Sequence, residues 1–288
     1  MRNYGVVIPC AETRIDNLKL CIESILELDL LPKAIVVVCD GFAKENIEKE
    51  FSDNKIIHFV YNEKHVAGTS TEQPKNRGAR FIDSILNKEL EEPINYVWFL
   101  DSDIIVDRDC LSQYNIALKH EPDRILIGPY EWLPEGFRQI DKSLKNDPRW
   151  ALFEQYDSTY TSVGEINIAL ANFGGNIIYP LEEFKRAGGF WNELSAGRVE
   201  DGEMGLRCAS MGIPMAVVPQ ARGWHLDHPI NWSWKVDTNE KEVPMINSRH
   251  PWVEQEGIIV VEKDGKRFDW IDPKTGEQVN TLEIWERY

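Results

Sequence analysis

The sequence predicts an α/β protein, a mostly parallel sheet flanked by helices, with a small β-meander at its C-terminal end. Three observations predict it. Short, continuous apolar runs rich in Val and Ile alternate with segments of helical periodicity through the first hundred residues. Those runs lack the polar alternation of a half-solvated sheet, so both of their faces are covered, as in parallel sheets. One of them, in "FLDSDIIVD" at 99–107, ends on Asp101 and Asp103. Ligands of such sheets sit beyond the carboxyl ends of the strands.

"YGVVIPC" (4–10) reads as the first buried strand, and "NLKLCIESILELDLL" (17–31) as the helix after it. "KAIVVVCDG" (33–41) is the second strand, "FAKENIEKEF" (42–51) the second helix and "KIIHFVY" (55–61) the third strand. "PKNRGARFIDSILNKEL" (74–90) is the third helix, with Pro74 as its first residue, where a missing N–H costs nothing. "INYVWFLDSD" (94–103) is the fourth strand. Pro9 to Arg14, Asp40 and Asp101 to Asp103 fall at the carboxyl ends of these strands.

Beyond about residue 130 the pattern loosens. "EWLPEGFRQIDKSLKNDPRW" (131–150) reads as a long loop and "RWALFEQYDS" (149–158) as a short helix. "ALANFGGNIIYP" (169–180) is a strand with a glycine break, "LEEFKRAGG" a helix, and "EDGEMGLRCASMG" (200–212) a helix closed by Gly212. "PMAVVPQARGWHLDHP" (214–229) is a strand running into a loop. Asp-Gly and Thr-Gly turns between alternating segments make 257–285 the meander.

With 288 residues and 42 % hydrophobic side chains, the chain can build one large core. A net charge of −16 is the wrong balance for a nucleic-acid binder, whose affinity comes from neutralising phosphates. An acidic protein handling a polyanionic substrate needs a metal ion or a few placed cations. The first residues break at Pro9 and form no signal peptide, and no apolar run is long enough for a transmembrane anchor, so a cytoplasmic protein is expected. The five scattered cysteines fit free thiols in a reducing compartment. Cys10, Cys39 and Cys208 read as small buried hydrophobes rather than nucleophiles.

In an extended chain Asp101 and Asp103 share a face and Ser102 points away. Two oxygens on one face make half of a hard-cation site, completed by substrate phosphates. A lone Asp-x-Asp is also common as a solvated strand end, and the residues alone leave both readings open. Glu200 and Asp201 open a helix, where acids also serve the dipole. Glu203 and Arg207, at i and i+4, read as a surface pair.

The run from Pro9 resembles GT-A glycosyltransferases, close to glycosyltransferase family 2. "VVIPCAETR" matches that family's Pro-containing loop after the first strand, and Asp40 in "VVVCDG" its nucleoside-contacting acid. "PKNRG", with Lys75, Asn76 and Gly78, matches an "ARNxG"-like helix start, and Asp101-Ser102-Asp103 the D-x-D motif. The later stretch "FGGNIIYPLEEFKRAGGFWNELSAGRVEDGEMGLRCASMG" resembles the C-terminal segment of chondroitin-type polymerases and of animal galactosyl- and polypeptide N-acetylgalactosaminyltransferases. Its matching residues are Gly174, Gly175, Asn176, Gly188, Gly189, Phe190, Glu200 and Asp201. The resemblance covers roughly 4–229. This sequence departs from it in carrying "SAGRVED" where a tryptophan-glycine usually precedes the acidic pair, and in having no N-terminal anchor.

The resemblance implies an inverting, metal-dependent transfer of Gal, GalNAc, Glc or GlcNAc from a UDP-sugar to a hydroxyl of a glycan, glycolipid or polypeptide. It makes 1–250 the catalytic domain, with 1–107 as nucleotide-binding half, 108–250 as donor-sugar and acceptor half, and 251–288 as the meander. Asp201 is then the catalytic base. Pro9, Asp40, Lys75, Asn76, Asp101, Ser102, Gly174, Gly175, Asn176, Trp191 and Glu200 contact the nucleotide sugar. Asp101, Asp103 and His225 hold the metal, Mn²⁺ or Mg²⁺, with the histidine favouring Mn²⁺. His228 is the rival ligand; with His225 it can be read as a zinc pair, against which stands the lack of Cys or Glu at ligand spacing. A sugar nucleotidyltransferase is the competing enzyme, but needs a glycine-rich basic loop, and "PCAETRIDN" has no glycine. A non-catalytic nucleotide-sugar or carbohydrate-binding module is the competing non-enzyme, separable by titrating UDP with and without Mn²⁺.

Overall fold

The computed structural model describes residues 2–42, 45–63, 74–119, 121–163, 168–169, 171–172, 174–191 and 200–228, with the backbone of two further strands at 259–263 and 267–271. Strands β1 (Tyr4–Cys10), β2 (Ala34–Asp40), β3 (Ile57–Asn62) and β4 (Tyr96–Leu100) form where the apolar runs place them. Helices α1 (Ile15–Leu26), α2 (Glu45–Glu48) and α3 (Pro74–Phe81) lie between them, and α3 runs on through a π turn over Ile82–Leu86. Two short elements follow that the sequence reading did not assign: β5 (Ile104–Val106) and helix α4 (Cys110–Ala117). The remainder comprises β6 (Ile125–Ile127), β7 (Tyr130–Trp132), α5 (Trp150–Gln155), β8 (Asn176–Pro180), α6 (Leu181–Arg186), α7 (Glu200–Ser210), β9 (Met215–Val217) and β10 (Gly223–His225).

Seven strands make the main sheet in the order β3-β2-β1-β4-β8-β6-β9. β3, β2, β1 and β4 are mutually parallel, whereas β8 runs antiparallel to both β4 and β6. Strand order reverses at β1, and the ladder between β1 and β4 ends at Val7 and Phe99. Pro9, which has no N–H to give a ladder, lies past that last pair. The crevice at such a reversal is where open α/β sheets take their ligands. β8 enters the sheet from the same edge, because Asn176 pairs with Leu100 at the carboxyl end of β4.

Both faces of the sheet are covered. Leu18, Cys21, Ile22 and Ile25 of α1 pack with Leu111 and Tyr114 of α4 on one face. On the other, Ala79 and Ile82 pack with Phe184 of α6 and Met204 of α7, around an aromatic group of Phe99, Tyr179 and Phe190. All five cysteines are free and buried, four in the first core and Cys208 in the second.

A second sheet, β5-β10-β7, stands at the carboxyl edge and pairs His225 with Ile104, the residue after Asp103. The loop after β7 is anchored by Glu131. Its buried carboxylate accepts from Asn146 and Asp147 N–H, Trp150 Nε1 and Arg222. In the C-terminal part, β11 (Ile259–Lys263) and β12 (Arg267–Ile271) pair antiparallel. The Asp-Gly and Thr-Gly turns of the expected meander lie outside the described residues. Among the described residues, no helix is long and apolar enough to cross a membrane.

Candidate active site

β4 stops at Leu100, and the next residues turn. Ile104 N–H donates to the Asp101 carbonyl at 3.1 Å, closing a β-turn over Asp101 to Ile104. The two carboxylates therefore do not share a strand face, as an extended chain predicts. Asp101 faces Lys75, and Asp103 faces two histidines. Ser102 between them is buried beside the Cys10 thiol.

On the first side, Lys75 Nζ donates to Asp201 Oδ1 at 2.9 Å and lies 3.9 Å from Asp101 Oδ1. Burial opposes the Lys75 charge, yet Asp201, Asp101 and Glu200 hold its pKa above the usual lysine value. Desolvation lifts the Asp101 carboxyl to about 6, with Lys75 pulling the other way. The first turn of α7 supplies Asp201 and the buried Glu200, and Asn172 donates to the Asp201 carbonyl. Gly174 lies against the ion pair: a Cβ there would meet Asp201 Oδ1 and Lys75 Nζ at 2.1 Å. A Cβ on Gly175 would stand 3.0 Å from Asp101 Oδ2. Bare backbone at 174–175 is thus required for the acidic residues and the lysine to converge.

On the second side, His225 Nε2 lies 3.5 Å from Asp103 Oδ1, and His228 Nε2 lies 3.1 Å from Asp103 Oδ2. Among the described residues these three form the group whose ligand atoms lie within 4.8 Å of one another. Asp101 is outside it. The His225 ring packs tilted against Trp132 at 4.1 Å between centroids, and its Nδ1 is buried without a hydrogen-bond partner. Desolvation pushes the His225 pKa below the usual value against the pull of Asp103, favouring the neutral ring that a metal requires. Although burial acts to raise Asp103, His228, His225 and Arg14 hold its carboxyl below the usual range. A buried carboxylate, a neutral imidazole and a ring nitrogen lacking a partner fit a divalent cation of the borderline class.

Arg14, which sequence reasoning did not single out, is the fourth member of the group. Its Nη2 lies 2.6 Å from His228 Nδ1 and its Nε 3.6 Å from Asp103 Oδ2. Trp132, also missed, stays 38 % exposed beside His225.

Other expected contacts have different geometry. The Asn176 amide is spent internally: Oδ1 accepts from Trp98 and Tyr114, while Nδ2 donates to the Pro129 and Ala221 carbonyls. Asn76 clamps Phe190, accepting its N–H at 2.8 Å and donating to its carbonyl at 2.7 Å. That clamp secures the turn at Gly188 and Gly189, both at positive φ. Arg207 donates to the Ala187 and Gly189 carbonyls of the same turn and pairs with Glu203. The Glu203–Arg207 pair expected on the surface is therefore buried, because the turn packs over it. Asp40, at the end of β2, accepts from Asn62 Nδ2 at 3.0 Å, and Trp191 is partly buried.

Sheet order, edge crevice and the turn after β4 define the Rossmann-like GT-A fold. No family model matches the sequence, and no curated protein matches it. Solved structures do. A crystal structure of S. aureus TarS 1–349 in complex with UDP-GlcNAc aligns with a TM-score of 0.57 at 16 % identity, over 80 % of this chain and 60 % of that one. TarS 1–349 in complex with UDP gives 0.57 and 16 % over 79 % and 61 %. A further TarS structure gives 0.58 and 15 % over 92 % of this chain and 41 % of that one. The chain thus spans about three fifths or less of the structures it resembles.

Proposed function

We propose that this chain is a glycosyltransferase that moves a sugar from a UDP-sugar to an acceptor hydroxyl with inversion, using a divalent cation, Mn²⁺ before Mg²⁺. One observation carries the reading. A buried lysine–carboxylate pair and an Asp–His–His group meet at the two ends of one turn, at the crevice where β1 and β4 part. The neighbours of this fold were solved with UDP-GlcNAc and UDP, which makes UDP-GlcNAc the first donor to test. UDP-linked Gal, GalNAc and Glc follow, and the acceptor is a glycan, glycolipid or polypeptide.

Residues 1–107 supply the nucleotide side, with Pro9 and Asp40 flanking the crevice, and residues 108–250 the sugar and acceptor side. Asp103 and His225 would hold the cation, with His228 at the third position. A bound divalent cation supplies charge neutralisation for the departing diphosphate. Asp201 takes the proton from the acceptor hydroxyl. Lys75 fixes its Oδ1, and the proton transfer is therefore assigned to Oδ2. Lys75 therefore positions the base more directly than it binds phosphate. Gly174 and Gly175 let the donor sugar approach the same carboxylates. The loop after β1 is a short 3₁₀ turn, Glu12–Arg14, without the glycine cradle of a nucleotidyltransferase.

The test is a hydrolysis and transfer screen across UDP- and GDP-sugars with Mn²⁺, repeated in excess chelator. Release of UDP from one UDP-sugar, abolished by chelation, is expected. Turnover undiminished in chelator excludes the metal, and UDP binding without any turnover favours the binding-module reading.

A further inference from the structure

We propose that Arg14 is an internal cation that occupies the Asp103–His228 pair until a nucleotide diphosphate draws it off, so that metal and nucleotide bind cooperatively. This rests on the UDP-sugar reading above and adds a residue to it.

The argument is one of donors and lone pairs. A guanidinium can only donate. With Arg14 Nη2 at 2.6 Å, His228 Nδ1 must accept, so its lone pair is taken and the ring proton sits on Nε2. That Nε2 stands 3.1 Å from Asp103 Oδ2 and donates to it, while Arg14 Nε faces the same oxygen at 3.6 Å. Held this way, neither nitrogen of His228 has a lone pair to offer a cation. Asp103 Oδ1 and His225 are the remaining ligands of the group, fewer than a tight divalent site uses. For His228 Nε2 to become a ligand, the proton must sit on Nδ1, and that N–H cannot face a guanidinium. Arg14 and a three-residue metal site therefore exclude each other.

What would move Arg14 is a better anion. It ends the 3₁₀ turn after β1, at the carboxyl edge of the sheet beside the crevice, and its side chain keeps 23 % exposure. Arginine meets phosphate with two parallel charge-assisted bonds, whereas Asp103 gives it a single long contact. A diphosphate in the crevice frees His228 and Asp103 for the cation. By linkage, the cation raises nucleotide affinity by the same factor.

The experiment reads Mn²⁺ binding by electron paramagnetic resonance of the free ion, with and without UDP, in the parent, Arg14→Ala and Arg14→Lys. The parent is expected to bind Mn²⁺ weakly alone and about tenfold or more tighter with UDP, within the usual range of coupling. Arg14→Ala should bind Mn²⁺ alone about tenfold tighter than the parent, with the UDP enhancement largely gone. Arg14→Lys, which keeps the charge but not the fork, should fall between them, and it stands in should the alanine variant not fold. Equal Mn²⁺ affinity in parent and variants, or an undiminished UDP effect, overturns the role of Arg14 and leaves the transferase reading intact. No Mn²⁺ binding to any of them, with or without UDP, overturns both.

Discussion

At Asp201 one carboxylate oxygen is held by a buried ammonium, and the proposed mechanism gives the other the acceptor's proton, so a substitution can separate the two duties. Asp201→Asn retains an oxygen for Lys75 but cannot take a proton. A positioned base contributes about 10²–10⁴-fold to rate, and kcat of this variant should fall by about that factor. Its UDP affinity in Mn²⁺, followed by calorimetry, should stay at the parent's value. Equal turnover of parent and variant, with Glu200→Gln inactive, would move the base one residue. As candidates, Asp101, Asp103, Asp201 and His225 were legible in the sequence through the family resemblance, although Asp101 falls outside the Asp–His–His group. Their partners were not. Nothing in a linear pattern brings Lys75 onto a carboxylate 126 residues away, or Arg14 onto a histidine 214 residues away.

Among the elements, α3 lies hard against the sheet at Gly78. A Cβ there would sit 2.3 Å from Val7 Cγ1 and 3.1 Å from Val38 Cγ2. Both neighbours are β-branched and buried in the centre of the sheet, so the helix must move outward instead. Gly78→Ala should therefore lower stability by about 1–3 kcal/mol, read from urea unfolding. It should also reduce turnover, because Lys75 lies one turn earlier on the same helix and would leave Asp201. Unchanged stability would mean that the approach of α3 is looser than these contacts. Apolar runs and helical spacing announced β1 to β4 and their helices. The same signal is blind to direction, which is why the antiparallel β8 was not foreseen. It also left β5 unassigned, since the fourth strand was read as ending at Asp103 and three apolar residues after it carry no period of their own. Only the β5–β10 pairing explains how His225 reaches Asp103.

For the molecule as a whole, a net charge of −16 repels a nucleotide diphosphate, and the site must reverse that locally. Neither UDP nor Mn²⁺ alone should protect the fold much, whereas both together should. At a hundredfold excess over Kd the gain is about 2.7 kcal/mol, a rise in Tm that differential scanning fluorimetry resolves. Asp103→Ala should abolish the rise, and an equal rise with UDP alone would argue against shared binding. The five cysteines give this architecture a built-in clock. They are spread over β1, α1, β2, α4 and α7, and burial pushes the Cys10 and Cys208 thiols up to about 12. An alkylating reagent needs both access and thiolate. Each cysteine therefore stays silent until its own stretch of core opens, and the order in which they react times the dismantling of the fold, region by region.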